Sequence, residues 1–181
     1  TIVGAGHDAA RIPGLDVRVG DGDSYEFAGH RAQVMAVPGH TTGHIAYYFA
    51  DSDALFCGDT LFALGCGRVF EGTMDQMWRS LSALRALPDD TRVYCAHEYT
   101  QANARFALSV DGDNPALVQR AAEIDSLRAA GRPTVPSALG EEKRTNPFLR
   151  ADDPALAAAV GLAAADAVAV FAEVRGLKDR F

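Results

Sequence analysis

The sequence predicts an α+β protein in which a strand-rich first half is followed by a helical second half. Short runs typical of β-strands recur through residues 1–98, and one helix interrupts them. After Tyr99 these runs stop, and alanine-rich segments with helix-capping signals take their place. With 181 residues, of which 48% are hydrophobic, the chain is long enough for a real core. We therefore predict two domains, residues 1–98 and residues 99–181.

Two hairpins and one short buried strand are predicted in the first half. Residues 25–37 form the first hairpin, with glycine first in a two-residue turn at Gly29-His30. Residues 45–57 form the second hairpin, closed by an Asp-Ser-Asp turn. Residues 92–96 form a short apolar strand. Each of these segments ends close to a polar cluster.

The helix that interrupts the strands is predicted from its cap and its periodicity. Thr73 is followed three positions later by Gln76, which completes a capping box. Pro88 ends the helix. Its apolar residues recur at helical spacing. They are Met77, Trp78, Leu81, Leu84 and Leu87.

The second half contains two further helix starts. An Asn-Pro pair at residue 114 starts a helix that ends at Gly131. An Asp-Pro pair at residue 153 starts another helical stretch. The proline-containing segment between them, residues 132–150, is predicted to be an ordered loop. These signals predict that the second half is a small helical domain.

The composition excludes several functional classes. The formal net charge is −7 and the isoelectric point is about 5.1, so the chain offers no broad positive field for nucleic acid or an anionic membrane. No uncharged run is long enough to span a bilayer. The cysteines number three and show no Cys-x-x-Cys spacing, which is typical of a reducing compartment. We expect a cytoplasmic monomer.

Three short polar clusters follow the apolar runs, at residues 38–44, 57–60 and 96–99. The first contains His40 and His44, which are four residues apart as in helical zinc sites. The glycines and proline around them exclude a helix, so the two imidazoles do not share a helical face. We expect one to be a metal ligand and the other to have a structural role. A glycine-rich turn with two hydrogen-bonded histidines is the alternative.

The other two clusters each supply one candidate ligand. Asp59 is either a turn residue or a carboxylate that bridges two cations, because its two oxygens can bind one ion each. His97 is either a satisfied structural histidine or a ligand, and Glu98 beside it is expected to form an ion pair. Imidazole and carboxylate suit zinc, iron and manganese. Three such groups at strand ends favour a metal site in an open pocket.

Further short motifs accompany these clusters. They are Thr60-Leu61-Phe62, Gly65-Cys66-Gly67-Arg68, Phe70-Glu71-Gly72-Thr73, Pro88-Asp89-Asp90-Thr91, His97-Glu98-Tyr99-Thr100, Asn146-Pro147-Phe148 and Lys178-Asp179-Arg180-Phe181. With the clusters, they resemble glyoxalase II, the hydroxyacylglutathione hydrolases of the metallo-β-lactamase superfamily, over nearly the whole chain. The resemblance implies an αββα sandwich of the metallo-β-lactamase type, its N-terminal part missing, followed by a helical glutathione-binding domain.

The resemblance also implies two divalent metal ions, zinc in the first place and iron or manganese otherwise. His40 would bind the first ion, His97 the second, and Asp59 both. The family's upstream His-x-His-x-Asp-His motif, which supplies the other ligands, is absent from the chain. We therefore interpret the chain as the C-terminal portion of the enzyme. The 181-residue fragment alone is expected to be inactive and poorly folded.

For the family's substrate, S-D-lactoylglutathione, the resemblance implies contacts by Arg68, Phe70 and Tyr99. Phe70 stands where some relatives carry a tyrosine, so one hydrogen bond to the substrate is lost there. Arg175 and Lys178 would bind the glycine carboxylate of glutathione. The alternative for these two cations is a favourable interaction with the C-terminal end of a helix dipole.

The implied reaction is hydrolysis of the thioester to glutathione and D-lactate, a step in methylglyoxal detoxification. Cations that share a water lower its pKa, so hydroxide is the nucleophile and Asp59 bridges beside it. Cys57 and Cys66 are assigned to packing. Two alternatives stay open: a single-iron persulfide dioxygenase of the same superfamily, and a non-catalytic scaffold domain that has lost its metals.

Overall fold

The computed structural model describes residues 1–181 and contains ten strands and six α-helices. The strands are β1 (Val3–Ala5), β2 (Val17–Val19), β3 (Ser24–Phe27), β4 (His30–Ala36), β5 (Ile45–Phe49), β6 (Ala54–Gly58), β7 (Leu61–Phe62), β8 (Gly65–Cys66), β9 (Arg92–Cys95) and β10 (Ser137–Ala138). The helices are α1 (Met74–Arg85), α2 (Thr100–Asp111), α3 (Pro115–Ala129), α4 (Leu139–Thr145), α5 (Pro154–Ala159) and α6 (Ala167–Arg180). Short 3-10 turns occur at Gly6–Asp8 and Pro147–Leu149. None of the helices combines the length and the apolar character that crossing a membrane requires.

The main sheet has six strands in the order β10-β9-β6-β5-β4-β3. All neighbours are antiparallel except β6 and β9, which run parallel with Gly58 opposite Cys95. The carboxyl ends of two parallel neighbours lie at the same edge of a sheet. The residues that follow β6 and β9, which include Asp59 and His97, are therefore brought together at this edge.

The first hairpin differs from the prediction by one residue. Phe27 pairs with His30, so the turn residues are Ala28 and Gly29 instead of Gly29 and His30. Both turn residues have positive φ, 52° for Ala28 and 82° for Gly29. A primed two-residue turn needs this backbone conformation, which matches the twist of the strands it joins. The predicted turn was wrong by one residue, because it placed Gly29 first in the turn, whereas Gly29 is the second turn residue and Ala28 is the first.

The helix caps are confirmed. Thr73 accepts a hydrogen bond from the Gln76 backbone N–H, and the Gln76 side chain accepts one from Thr73 in return. The Asn114 side chain accepts from the first turn of α3, and the Asp153 side chain accepts from the first turn of α5. Each cap satisfies donors that a helix N-terminus leaves unpaired.

The predicted loop at residues 132–150 is wrong. It contains β10, which pairs antiparallel with β9, then α4 and a 3-10 turn. A strand of two residues and a helix of seven are too short to produce a periodic pattern of apolar residues. The consequence is that the helical half contributes an edge strand to the main sheet.

The core draws on both halves of the chain. One buried cluster joins the inner face of β5, β6 and β9 to α1, α6 and the Pro147–Leu149 turn, and a smaller one lies between α2 and α3. On the opposite face of the sheet, aromatic side chains including Tyr47, Phe49 and Phe56 line an open groove. The division into domains at residue 98 stays a prediction.

Candidate metal and substrate site

Three side chains that were predicted as metal ligands meet at the edge where β6 and β9 end. One carboxylate oxygen of Asp59 lies 3.8 Å from Nε2 of His40. The other lies 3.3 Å from Nε2 of His97. The carboxylate therefore stands between two imidazoles, with one ring facing each of its oxygens.

The orientation of His40 is fixed from its far side. Its Nδ1 lies 2.7 Å from the backbone carbonyl oxygen of Arg68. A carbonyl oxygen can only accept, so Nδ1 must carry the proton and donate. The Nε2 atom, which faces Asp59, then has a free lone pair when the ring is neutral. This is the arrangement in which histidines bind metals in proteins.

His44 faces the backbone of Asp59 instead of its carboxylate. Its Nε2 accepts a hydrogen bond from the Asp59 backbone N–H at 3.0 Å. Burial is the main cause that lowers the pKa of His44, followed by the neighbouring His40. A neutral ring is what this acceptor role requires. The two histidines of the first cluster therefore differ, with His40 towards the carboxylate and His44 holding its backbone.

Glycine is required at Gly67, where the backbone of the Gly-Cys-Gly-Arg segment passes Asp59. A Cβ atom at Gly67 would lie 1.9 Å from the Asp59 carbonyl oxygen. Only a residue without a side chain permits this approach. The approach brings the carbonyl of the next residue, Arg68, onto His40. The close approach of this backbone to Asp59 thus explains why the Gly-Cys-Gly-Arg motif has glycine at position 67.

The side chains at this edge provide part of a donor set for a divalent cation. Oδ1 of Asp59 is buried and has no hydrogen-bond partner, although buried polar atoms are almost always paired. An unpaired carboxylate oxygen beside imidazole nitrogens is a donor set for a metal. The set is incomplete, because no group of three or more His, Cys, Asp or Glu side chains in the chain, including this one, is arranged to hold a metal ion by itself. Catalytic zinc usually has about three protein ligands.

Every residue predicted to bind metal or substrate lines the same cavity of about 430 Å³. These residues are His40, Asp59, Arg68, Phe70, His97, Tyr99, Arg175 and Lys178. Asn103, from α2, also lines it and was not predicted. Its amide donates to the carbonyl of Ala63, so it anchors the wall to the β7–β8 turn. No sequence signal marked it, because an asparagine within a helical run carries no motif of its own.

Aromatic rings flank the two imidazoles. Tyr99 stacks on His97 with ring centroids 4.9 Å apart, and the ring of Phe62 approaches both. Phe70 lies against His40, with centroids 5.1 Å apart, and is 65% exposed. Phe70 therefore presents an apolar surface at the mouth of the cavity, where a tyrosine would add a hydroxyl group.

The opposite wall carries the cations of α6. Arg175 is buried, donates to the carbonyl of Cys66 at 3.1 Å and lies over the ring of Phe148. Lys178 is half-buried over the rings of Phe106 and Phe181. Desolvation, and then the charge of Arg175, lowers the pKa of Lys178. Both cations are thus held towards one cavity by packing.

The cysteines and Glu98 are in environments that fit structural roles and not chemical ones. Burial raises the pKa of Cys57 to about 12 and that of Cys66 to about 11, so neither thiol is a ready nucleophile. Cys95 is also unpaired. Glu98 forms the predicted ion pair, with Arg128 at 3.0 Å.

Comparison with known proteins identifies the class of this fold and site. Residues 3–97 match the sequence model of the metallo-beta-lactamase superfamily. The structure is similar to the crystal structure of ETHE1 from Myxococcus xanthus, with a TM-score of 0.62 and 27% identity over 97% of this chain and 57% of that one. The chain is a member of the metallo-β-lactamase superfamily, which confirms the predicted fold class. Membership implies divalent metal ions.

The match of the second half of the chain shows which family within the superfamily the chain belongs to. Residues 98–181 match the model described as the hydroxyacylglutathione hydrolase C-terminus. A hydroxyacylglutathione hydrolase of Synechococcus sp. (strain JA-2-3B'a(2-13)) is 61% identical over 99% of this chain and 71% of its own length. One from Rhizobium meliloti (strain 1021) is 56% identical over 100% of this chain and 71% of its own length. The chain belongs to the hydroxyacylglutathione hydrolase family, a family of enzymes, as its motifs predicted.

Proposed function

We propose that this chain carries the metal-binding edge and the substrate-binding wall of an enzyme that hydrolyses S-D-lactoylglutathione to glutathione and D-lactate. One observation carries the proposal: a single cavity has two imidazoles around an unpaired carboxylate on one side and three cationic side chains on the other. A metal-dependent site beside an anion-binding wall suits a thioester that bears free carboxylates. The names of the relatives support the same substrate class.

The proposed metal residues are His40 and His97, one for each of two ions, with Asp59 shared between them. Imidazole and carboxylate donors are compatible with zinc, which we propose first, and with iron or manganese. When bound, divalent cations at this site supply the positive charge that activates water and polarises the thioester carbonyl.

The chain itself keeps this edge in place. The Arg68 carbonyl accepts a hydrogen bond from Nδ1 of His40, and Nε2 of His44 accepts one from the backbone N–H of Asp59. The leaving group is a thiolate, and a free thiol has a pKa of about 8.5, so its departure needs no strong general acid. This agrees with the absence of a reactive cysteine in the cavity wall, since burial keeps the Cys66 thiol protonated.

The proposed substrate contacts follow the cavity wall. Arg68 faces the cysteinyl part of glutathione, and Tyr99 offers its hydroxyl nearby. Phe70 packs against the substrate without donating a hydrogen bond. Arg175 and Lys178 bind the glycine carboxylate, and their inclusion in the cavity lining favours this role over a purely helix-dipole one.

Some finer properties are also proposals. A net charge of −7 argues against nucleic acid and anionic membranes as partners. Three unpaired cysteines agree with a reducing compartment such as the cytoplasm. We propose a monomer, which sedimentation of the purified protein would test.

The test is to express the chain with its natural flanking sequence and to measure hydrolysis of S-D-lactoylglutathione together with metal content. We expect glutathione and D-lactate in equal amounts and about two bound ions per chain. Consumption of oxygen with a persulfide substrate and a single bound iron would favour the dioxygenase alternative. Absence of both metal and turnover would favour a non-catalytic scaffold.

A further inference from the structure

Asp179, in the last turn of α6, joins two of the cations that line the cavity. Its Oδ1 atom accepts a hydrogen bond from Nε of Arg68 at 3.1 Å. The same atom accepts from Nη2 of Arg175, also at 3.1 Å. Arg68 belongs to the segment after β8 and Arg175 to α6. One carboxylate oxygen therefore connects the two walls that carry these guanidinium groups.

The two arginines depend on Asp179 to different degrees. Arg175 is 6% exposed and also donates to the carbonyl of Cys66, so packing and a second bond hold it. The Arg68 side chain is 57% exposed, and Asp179 is its only hydrogen-bond acceptor in the structure. Its other close contact is the ring of Phe70, 6.0 Å away. A long exposed side chain without its single anchor regains rotamer freedom.

The arrangement of charged side chains around the cavity also supports a role for Asp179 in holding the two arginines. Arg68, Arg175 and Lys178 line the cavity, whereas Asp179 does not. Its carboxylate therefore pairs with the two arginines without occupying the space that a ligand would fill. Lys178 has no carboxylate partner. This leaves one unpaired cation for an anionic group, beside two arginines whose directions are fixed.

We propose that Asp179 is a positioning residue that orients Arg68, and secondarily Arg175, for binding of the glutathione part of the substrate. The proposal rests on the function proposed above. It assigns Asp179 an effect on substrate affinity and none on the reacting atoms, because it does not line the cavity that contains Asp59.

The test is Asp179→Asn in the intact, metal-loaded protein, with S-D-lactoylglutathione as substrate and S-methylglutathione as a non-hydrolysable ligand. Loss of one charge-assisted anchor should raise KM, and the Kd of S-methylglutathione, by about tenfold. The value of kcat should stay within about twofold, because the metal edge is untouched. Glu173→Gln is the matched control, since it removes one negative charge from the same helix, where the Glu173 carboxylate has its polar contact with Arg180 and not with Arg68 or Arg175. It should change neither constant.

A double-mutant cycle separates positioning from a general loss of structure. In an Arg68→Gln background, Asp179→Asn should raise KM much less than it does in the wild type, because the guanidinium group that Asp179 mainly orients is absent. Fully additive effects would overturn the proposal. So would an unchanged KM in D179N, or a lowered KM, which would mean that the carboxylate competes with the substrate.

Two further readouts keep the result unambiguous. Thermal unfolding of each variant identifies any that does not fold, and Asp179→Ser replaces D179N in that case, with the same expected and overturning results. If the wild type neither hydrolyses S-D-lactoylglutathione nor binds S-methylglutathione, the proposed function fails. If the wild type does both and D179N behaves identically, only the role of Asp179 fails.

Discussion

Asp59 is the residue on which the site depends most. Its backbone is held by His44, and its two oxygens face His40 and His97. No other carboxylate lines the cavity, so nothing in the chain could replace it. Its buried Oδ1 has no hydrogen-bond partner, which is unfavourable for a carboxylate oxygen and favours a positively charged neighbour at this position.

Asp59→Ala should therefore remove both metal and activity. We expect kcat/KM in the intact protein to fall by more than about a hundredfold, since even outer-shell partners of metal sites contribute 10- to 100-fold. Metal content, measured by elemental analysis, should fall in parallel. Asp113→Ala, at an exposed loop position, is the control and should match the wild type. Undiminished metal content in the Asp59 variant would contradict the shared role of this residue.

The cysteines give a second residue-scale prediction. Burial raises the pKa of Cys57 to about 12 and that of Cys66 to about 11, so both stay protonated near neutral pH. We expect iodoacetamide at pH 8 to leave both unmodified in the folded protein and to alkylate them after unfolding in denaturant. Mass spectrometry of peptides measures this. Rapid alkylation of Cys66 in the folded state would show that the wall beside Arg175 opens.

At this scale the sequence predicted residues that carry a motif and missed those that act through tertiary contact. His40, Asp59 and His97 stand in short clusters at strand ends, which made them visible. The roles of His40 and His44 were separated only by the family resemblance, because spacing says nothing about which ring faces a carboxylate. Asp179 belongs to the C-terminal motif, but its role was not predicted, since its contact with Arg68 joins distant parts of the chain.

Among the elements, α1 packs its buried face into the core directly beside the loop that carries His40. Its N-terminus depends on the capping box of Thr73 and Gln76, and Ser80 donates to the carbonyl of Pro38. The helix therefore ties the first polar cluster to the core through its first two turns.

Thr73→Ala should destabilise the protein by about 1 kcal/mol, because it removes the side-chain acceptor of the cap. Thr73→Ser, which keeps the hydroxyl oxygen, is the control and should retain most of the stability. Denaturant unfolding with a constant m-value measures both. Equal stability of the Ala and Ser variants would mean that the capping bond contributes nothing measurable.

The loop of the first cluster has a second anchor in Glu71. Its carboxylate accepts from Arg11 and from the backbone N–H and hydroxyl of Thr42. The Arg11 hydrogen bond first, and then those of Thr42, lower the pKa of Glu71 from 4.5 to about 2. A lowered folded-state pKa stabilises the anchor fully above the ordinary value, and the stabilisation is lost as the pH falls through about 2.

We therefore expect the amide of Thr42 to stay protected from hydrogen exchange at pH 4.5 and to lose that protection towards pH 2. Nuclear magnetic resonance or mass spectrometry measures the exchange after correction for the intrinsic rate. Glu71→Gln should show weak protection at both pH values. Equal protection of Thr42 at both pH values in the wild type would exclude Glu71 as the anchor.

The elements could be predicted where local signals were strong. The caps of α1, α3 and α5 were correct because capping is a local interaction between a side chain and the next few N–H groups. The turn of the first hairpin was placed one residue late, because an alanine with positive φ has no sequence signal. The strand β10 and helix α4 were missed because pairing with β9 and burial of Glu142 are contacts with distant segments.

In the whole molecule, the two halves of the chain are joined through a buried polar network around Glu142 of α4. Its carboxylate accepts from the Leu64 backbone N–H, from Arg120 of α3 and from the amide of Asn146. Asn146 also donates to the carbonyls of Phe62 and Gly65. The network thus fixes the segment that precedes Arg68 to the helical half.

Glu142→Ala should cost about 3–5 kcal/mol of unfolding free energy, because it removes the buried carboxylate partner of the buried Arg120 and the acceptor of the Leu64 backbone N–H. Glu141→Ala is the matched control one position away. Glu141 contacts the same arginine at 3.3 Å but is 33% exposed, so its loss should cost less than about 1 kcal/mol. Denaturant unfolding compares the two. Similar costs would mean that the buried network does not link the halves.

At this scale the predicted class was correct, but the shared core was not foreseen. Hydrophobic periodicity assigns residues to elements and does not say which elements pack together. Phe148 and Val174, from the helical half, lie in one cluster with Leu55 and Val93 of the sheet.

The parallel pairing of β6 with β9 has a consequence for how this protein can change. Adjacent strands lie about 4.8 Å apart whatever connects them. The separation of Asp59 and His97 is therefore set by one row of backbone hydrogen bonds and not by the 33 residues, 59–91, that connect β6 to β9. Insertions or deletions at exposed positions of that connection can therefore change the shape of the cavity mouth, and hence the choice of acyl group. The spacing between Asp59 and His97 stays the same.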